Sequence, residues 1–222
     1  MPSGEKVSKG SQSEGGVYRL LGLPRVYSIF RSLVLRPGSF DRFVRQRVRP
    51  FPGCSILDIG CGPGDTLSHL PESIGEYVGF DSNTRYIDAA RRRWGTRGRF
   101  FSETVSRATD IPKASFDIVI SIGVLHHLED LEAGLLMEIA KRVLKPGGRL
   151  VTYDNVTIDR QSPIARLMNR LDRGNVVRTE EGYVALARTS FRQVRSTLLH
   201  DTLRFPYTVV VMECTEVSEA AP

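Results

Sequence analysis

Residues 55–65 read SILDIGCGPGD. An apolar run, Ser55–Ile59, passes directly into glycines at every second position, Gly60, Gly62 and Gly64. A strand that ends on such a loop must turn sharply and let a ligand approach its backbone, which a Cβ would obstruct. Moving outward, a second apolar run, EYVGFD (76–81), ends in Asp81, 17 residues beyond Gly64. A carboxylate at the tip of the second strand is placed to accept hydrogen bonds from both hydroxyls of a ribose. Loop and acid together indicate an adenosine-type cofactor. The spacing is GxGxG, not the GxGxxG of dinucleotide binders, and Asp58 lies inside the strand just before the loop. A nearby carboxylate disfavours a pyrophosphate and favours a cationic aminoacyl group.

Further apolar runs at Gly98–Ser102, Phe116–Ser121 and Arg149–Tyr153 read as strands. Helical spacing fills most of the gaps, at Asp65–Leu70, Asn83–Trp94 and Leu131–Leu144. The last carries Leu131, Leu135, Ile139, Ala140 and Val143 on one stripe. FDIVISIG (116–123) is apolar almost throughout, as a central parallel strand covered on both faces should be. This alternation predicts βαβ units in a doubly wound α/β sheet. Phe191–Thr202 and Phe205–Cys214 are joined by a link too short for anything but an antiparallel pair.

Ahead of this region, residues 1–16 are rich in Ser, Gly, Lys and Glu and predict a disordered tail. Residues 17–50 predict a helical lid, with one helix from Pro24 and a second from a Ser39 N-cap to about Val48. Residues 51–222 form the expected catalytic domain, with a helical insertion on the substrate side over 155–190. Apolar residues make up 41% of the 222, enough for a full core and too many for wholesale disorder. No run approaches the ~18 apolar residues of a membrane span. The first 16 residues lack the apolar core of a secretory signal. Cys54, Cys61 and Cys214 lack CxxC spacing and fit a reducing compartment, so a cytoplasmic location is expected. The net charge is +6. Residues 17–50 hold Arg19, Arg25, Arg31, Arg36, Arg42, Arg45, Arg47 and Arg49 against Asp41 alone, and Arg160, Arg166, Arg170, Arg173 and Arg178 follow later. These form either a solvated face or a basic rim for an anionic partner.

With these residues on the page, the chain strongly resembles the class I S-adenosylmethionine-dependent methyltransferases, in the pattern of ubiquinone/menaquinone-type small-molecule enzymes. The resemblance covers residues 54–154 and runs in order through DIGCGPG, GFDSN, FDIVISIGVLHHLED and LKPGGRLV. It implies a seven-stranded Rossmann-like sheet of order 3-2-1-4-5-7-6 with strand 7 antiparallel. It also implies that the backbone at Gly60, Cys61 and Gly62 packs on the methionine and ribose of S-adenosyl-L-methionine. Asp58 would face the amino group and Asp81 would take the ribose diol, with Ser82 and Thr104 bordering the adenine. The adenine-reading acid is either Glu103 or Asp110, because SETVSRATDIP carries a short insertion; Glu103 is preferred because it directly follows the strand. Ile122 and Gly123 would lie beside the sulfonium.

His126 and His127 stand where strand 4 gives way to its helix, at the carboxyl edge of the sheet where ligands collect. One could pack while the other caps the helix, or either could orient the acceptor or act as general base. No third ligand stands at metal-binding spacing, so no metal is expected. Methyl transfer asks mainly for in-line alignment and exclusion of water, and for a base only when the nucleophile must lose a proton. Tyr18 and Tyr27 could close over the cofactor, although core packing suits them as well. The two arginine-rich regions coincide with the acceptor-reading segments of relatives, which favours a small anionic acceptor such as a nucleotide sugar or glycan precursor. A tRNA methyltransferase is the alternative from nucleic-acid chemistry, since VLHHL also resembles wobble-uridine modifiers. A peripheral quinone or lipid methyltransferase, with the Pro24 helix on headgroups, is the other.

Overall fold

The computed structural model describes residues 34–159, 161–163, 165–166 and 176–216. The expected tail, the Pro24 helix with Tyr18 and Tyr27, and Arg160, Arg170 and Arg173 lie outside them. Seven strands form one sheet: β1 Ser55–Ile59, β2 Glu76–Asp81, β3 Arg99–Ser102, β4 Phe116–Ile122, β5 Leu144–Asn155, β6 Gln193–Leu199 and β7 Val209–Thr215. Their order is β3-β2-β1-β4-β5-β7-β6. The first five pair in parallel with one another, and β7 runs antiparallel to both β5 and β6. This is the doubly wound sheet that the alternation and the family resemblance imply.

Each face of the sheet has its own core. Leu57, Ile59, Val119 and Leu150 face one layer, under helices α3 (Asp130–Val143) and α4 (Glu180–Arg188). Ile56, Ile118, Ile120 and Val151 face the other, where α1 (Ser39–Phe43, continued by a π turn over Val44–Val48) and α2 (Thr84–Trp94) contribute. Alternate residues of one strand thus enter opposite layers, and each fully buried Leu or Ile contributes about 1.5–3 kcal/mol. Because β4 is covered on both sides, its sequence shows no polar alternation.

Several local expectations shift. Gly38, at φ 74°, precedes α1, and Ser39 is its first residue. The Ser39 hydroxyl is instead used on Arg36 O (2.7 Å) and Thr202 O (3.0 Å), tying the helix start to the β6–β7 connection. Leu131 is 70% exposed. It falls in the first turn of α3, ahead of Ala133, where the buried face begins. The stretch from Leu144 to Gly148 stays within β5, and its extra residues are absorbed by a register shift against Phe116–Ile118 of β4. Asn83 caps α2, accepting from the N–H groups of Arg85 and Tyr86. Residues 65–69 form a single 3-10 turn, and α4 falls within residues 155–190. Among the described residues no helix is long and apolar enough to cross a membrane.

Candidate active site

The carboxyl ends of β1, β2, β3 and β4 converge on one cleft. At its floor the chain leaves β1 with Gly60 at φ +82°, and a Cβ there would collide with Cγ2 of Val124 from the loop after β4. The absence of a side chain lets the two loops interlock. The N–H groups of Gly60 and Cys61 both donate to Phe80 O, at 2.7 and 3.0 Å. That of Gly62 donates to Asp81 Oδ2 at 3.0 Å, while Asp81 Oδ1 accepts from Asn83 N at 2.8 Å. Asp81 therefore fastens the glycine loop to the tip of β2 and the start of α2, and is itself buried.

A cavity opens against this loop, lined by Gly60, Asp81, Ser82, Glu103 and Thr104, with Ile59, Phe80, Val105, Val124 and Leu128 as apolar walls. Glu103 is steadied by Thr109, whose hydroxyl donates to Oε1 at 2.9 Å. Asp110 is exposed and outside the lining. An acid at each side and apolar walls between suit a nucleoside, with Asp81 toward a ribose diol and Glu103, Ser82 and Thr104 toward an adenine. The residues present fit the adenosine part of the expected cofactor.

Five of the expected cofactor residues, Asp58, Cys61, Gly62, Ile122 and Gly123, stand apart from this lining. Asp58 is buried in β1 and its Oδ2 accepts from the Tyr77 hydroxyl at 2.6 Å. The Cys61 side chain turns into the core, where it lies so close to Gly79 that a Cβ there would come within 2.8 Å of its sulfur. Its contribution to a ligand is thus confined to its backbone. Ile122 ends β4, half-buried. Gly123 follows at φ +69° with its N–H donating to Tyr153 O at 2.7 Å, so the turn out of β4 is held by β5.

That turn carries the two histidines, and their environments differ. His126 is buried, with Nδ1 2.9 Å from Oδ1 of Asp154, a buried carboxylate at the end of β5. His127 is half-buried, with its ring centroid 4.1 Å from that of His126. Neither caps α3, whose N-cap residue is Glu129. Cε1 of His126 lies 3.7 Å from the point a Cβ on Gly123 would occupy, so the imidazole leans over the exit of β4.

Residues the sequence reading passed over hold this turn in place. Arg178, 10% exposed at its side chain, donates to Leu125 O (3.0 Å), Leu128 O (2.8 Å) and Val176 O (3.3 Å), and pairs with Asp130 (2.6 Å). Val176 N donates to His126 O at 3.3 Å. Arg178, read in the sequence as part of either a solvated face or a basic rim, is a clamp. The same holds on the N-terminal side. Arg36 Nε donates to Leu203 O, Arg42 pairs with Asp201, and Arg47 and Arg49 share Glu213 at 3.1 and 2.9 Å. A buried carboxylate with two guanidiniums favours this internal pairing over an exposed anion-collecting face. Asp154 carried a readable signal, because an Asp stands at the end of β5 as Asp81 stands at the end of β2.

Residues 56–148 match the family model described as a methyltransferase domain. A Cereibacter sphaeroides ubiquinone biosynthesis O-methyltransferase is 34% identical over 114 residues, 50% of this chain and 45% of that protein. A 37.1 kDa protein of a Streptomyces fradiae transposon is 39% identical over 116 residues, 49% of this chain and 33% of the other. The chain thus spans less than half the length of these relatives. A solved Haemonchus contortus phosphoethanolamine N-methyltransferase, in complex with phosphomonomethylethanolamine and S-adenosylhomocysteine, superposes with a TM-score of 0.63 at 17% identity. That superposition covers 80% of this chain and 52% of the solved one. Sheet order, glycine loop and family match identify residues 56–148 as a class I methyltransferase domain of the S-adenosylmethionine-dependent kind.

Proposed function

We propose that this protein transfers a methyl group from S-adenosylmethionine to a hydroxyl of a small molecule. The observation that carries the reading is the cleft where Asp81, Glu103 and the glycine loop meet beside the His126 turn. When bound, S-adenosylmethionine supplies a methyl group on a sulfonium, a leaving group that needs no activation. The chain's own work is then to hold the nucleoside and shape the approach. Asp81 and the Gly60–Gly62 backbone bind, Glu103, Ser82 and Thr104 read the adenine, and Ile122 and Gly123 border the reacting centre. Asp58 acts on the loop from below, through β1. The hydroxyl, as opposed to an amine or carbon acceptor, is favoured by the O-methyltransferase among the relatives and by a buried histidine at the exit of β4. Among the described arginines that suggested an anionic acceptor, Arg36, Arg47, Arg49 and Arg178 are held by partners within the protein, and the proposal does not rest on acceptor charge.

The test has two arms. Calorimetry with S-adenosylhomocysteine should give a one-to-one binding heat, reduced at least ~10-fold in affinity by Asp81→Asn, since a charge-assisted hydrogen bond contributes about 1.5–3 kcal/mol. Labelled S-adenosylmethionine should then pass its methyl to the small-molecule fraction of a cell extract, in a linkage stable to mild base. No binding heat overturns the cofactor reading, and label entering only RNA or a lipid phase overturns the acceptor reading.

A further inference from the structure

We propose that Asp154 is a positioning residue that sets the tautomer of His126, leaving Nε2 as the atom that takes the proton of a hydroxyl acceptor. The inference rests on the functional reading above and deepens it.

The two side chains come from adjacent strands at the same edge of the sheet. Asp154 ends β5 and His126 follows β4, and the carboxylate reaches both Nδ1 (2.9 Å) and the His126 backbone N–H (3.4 Å). Asp154 is 1% exposed and His126 5%. An ionised carboxylate only accepts hydrogen bonds, so the neutral imidazole beside it must carry its hydrogen on Nδ1 and its lone pair on Nε2. The second oxygen of Asp154, also buried, makes no hydrogen bond among the described residues. A half-satisfied buried carboxylate is costly. An apolar residue at 154 would serve packing better, so its presence calls for a role other than packing. The neighbouring Tyr183 phenol is pushed above its ordinary range by burial and then by the Asp154 charge, and therefore stays neutral.

The turn that carries the ring is also held. The His126 carbonyl accepts from Val176 N, and Arg178 fixes the carbonyls of Leu125 and Leu128 on either side. Three points of attachment fix the backbone of the turn, and the Asp154 contact directs the imidazole over Gly123, which is the preorganisation a proton acceptor needs. As the acceptor oxygen bonds to the methyl carbon, its proton moves to Nε2 and the S–C electron pair stays on sulfur. The imidazolium formed then faces the Asp154 carboxylate, and its proton leaves to solvent after product release. The half-buried ring of His127 lies against that of His126, tilted by 41° with centroids 4.1 Å apart.

The experiment compares the full chain, Asp154→Asn and His126→Gln, each saturated with S-adenosylhomocysteine. Long-range proton–nitrogen correlation spectra of histidine-labelled protein report the tautomer of each of the four histidines, with H126Q assigning the signal. The wild type should show His126 with Nδ1 protonated and Nε2 bare, and D154N, whose amide can also donate, should move it to the other tautomer or a mixture. Methyl transfer into the extract fraction should fall by about 10²–10⁴-fold in both variants, with S-adenosylhomocysteine affinity within twofold of wild type. A His126 tautomer unchanged in D154N, or full transfer by either variant, overturns the proposal. Absence of transfer by the wild type overturns the functional reading instead, and the spectra still decide the pair. A variant that fails to bind S-adenosylhomocysteine makes the pair structural, which also overturns it.

Discussion

Val124 stands over Gly60 so closely that its Cγ2 fills the place a Cβ on that glycine would take. The loops after β1 and β4 are therefore a single fitted piece, and the cofactor cleft depends on both.

Gly60→Ala should lower stability and weaken S-adenosylhomocysteine. The φ of +82° alone costs a non-glycine residue about 1–2 kcal/mol, and displacement of Val124 adds to it. Trimming the neighbour with Val124→Ala in the same chain should recover part of the second cost and none of the first. Calorimetric affinity and urea midpoints for both singles and the double check this. A double variant no better than G60A would show that the contact does not limit the loop.

Arg178→Ala should destabilise by about 2–4 kcal/mol, because three carbonyls around the histidine turn lose a charged donor together. Asp130→Ala, which removes only the 87% exposed carboxylate of the same cluster, should cost under about 1 kcal/mol. Chemical denaturation of the two variants measures the contrast, and equal losses would place the energy in the ion pair.

Asp117 gives a pH signature. Burial raises its carboxyl, but hydrogen bonds from Lys145 Nζ and Ser55 N, both 2.8 Å, and the Lys145 charge more than offset this and hold it below the ordinary 3.8. A carboxyl lowered on folding adds stability that is fully present above pH 3.8 and is lost as pH falls through its folded value. Asp117→Asn should thus be less stable than wild type at neutral pH, and the difference should vanish toward strong acid. A difference independent of pH down to strong acid would contradict the assignment.

The three cysteines should be silent toward a thiol reagent in the native protein. All are buried, and burial raises the thiols of Cys54 and Cys214, the latter to about 12. Three equivalents should react in denaturant. Rapid reaction of one equivalent in native buffer would locate an opening around the glycine loop, where Cys61 lies.

The sheet was legible because each strand announces itself by a composition that burial requires. β4 is apolar on both faces, and β1 runs into glycines whose backbone no other residue can follow. Strand ends were less legible. β5 begins at Leu144, just before what reads as a Lys-Pro-Gly-Gly turn, because Leu144 still pairs with Phe116 and a register shift carries the ladder past the turn residues to Arg149. Side-chain partners were hardest to see. The arginines of 36–49 and Arg178 look like a cationic surface in one dimension. Their carboxylates and carbonyls lie far away in sequence, Glu213 166 residues from Arg47 in the fold's closing strand. Likewise His126 and His127 are indistinguishable as neighbours until β5 brings Asp154 beside one of them.

β7 is the last of the seven strands to be made, yet it lies inside the sheet, between β5 and β6. Until residues 209–215 emerge from the ribosome, β5 and β6 have no bridge, and the nascent chain offers β5 as a raw, apolar border to any passing strand. A chain cut before Val209 would lose the wedge that joins the sheet's two halves, and its fate would be association with other chains.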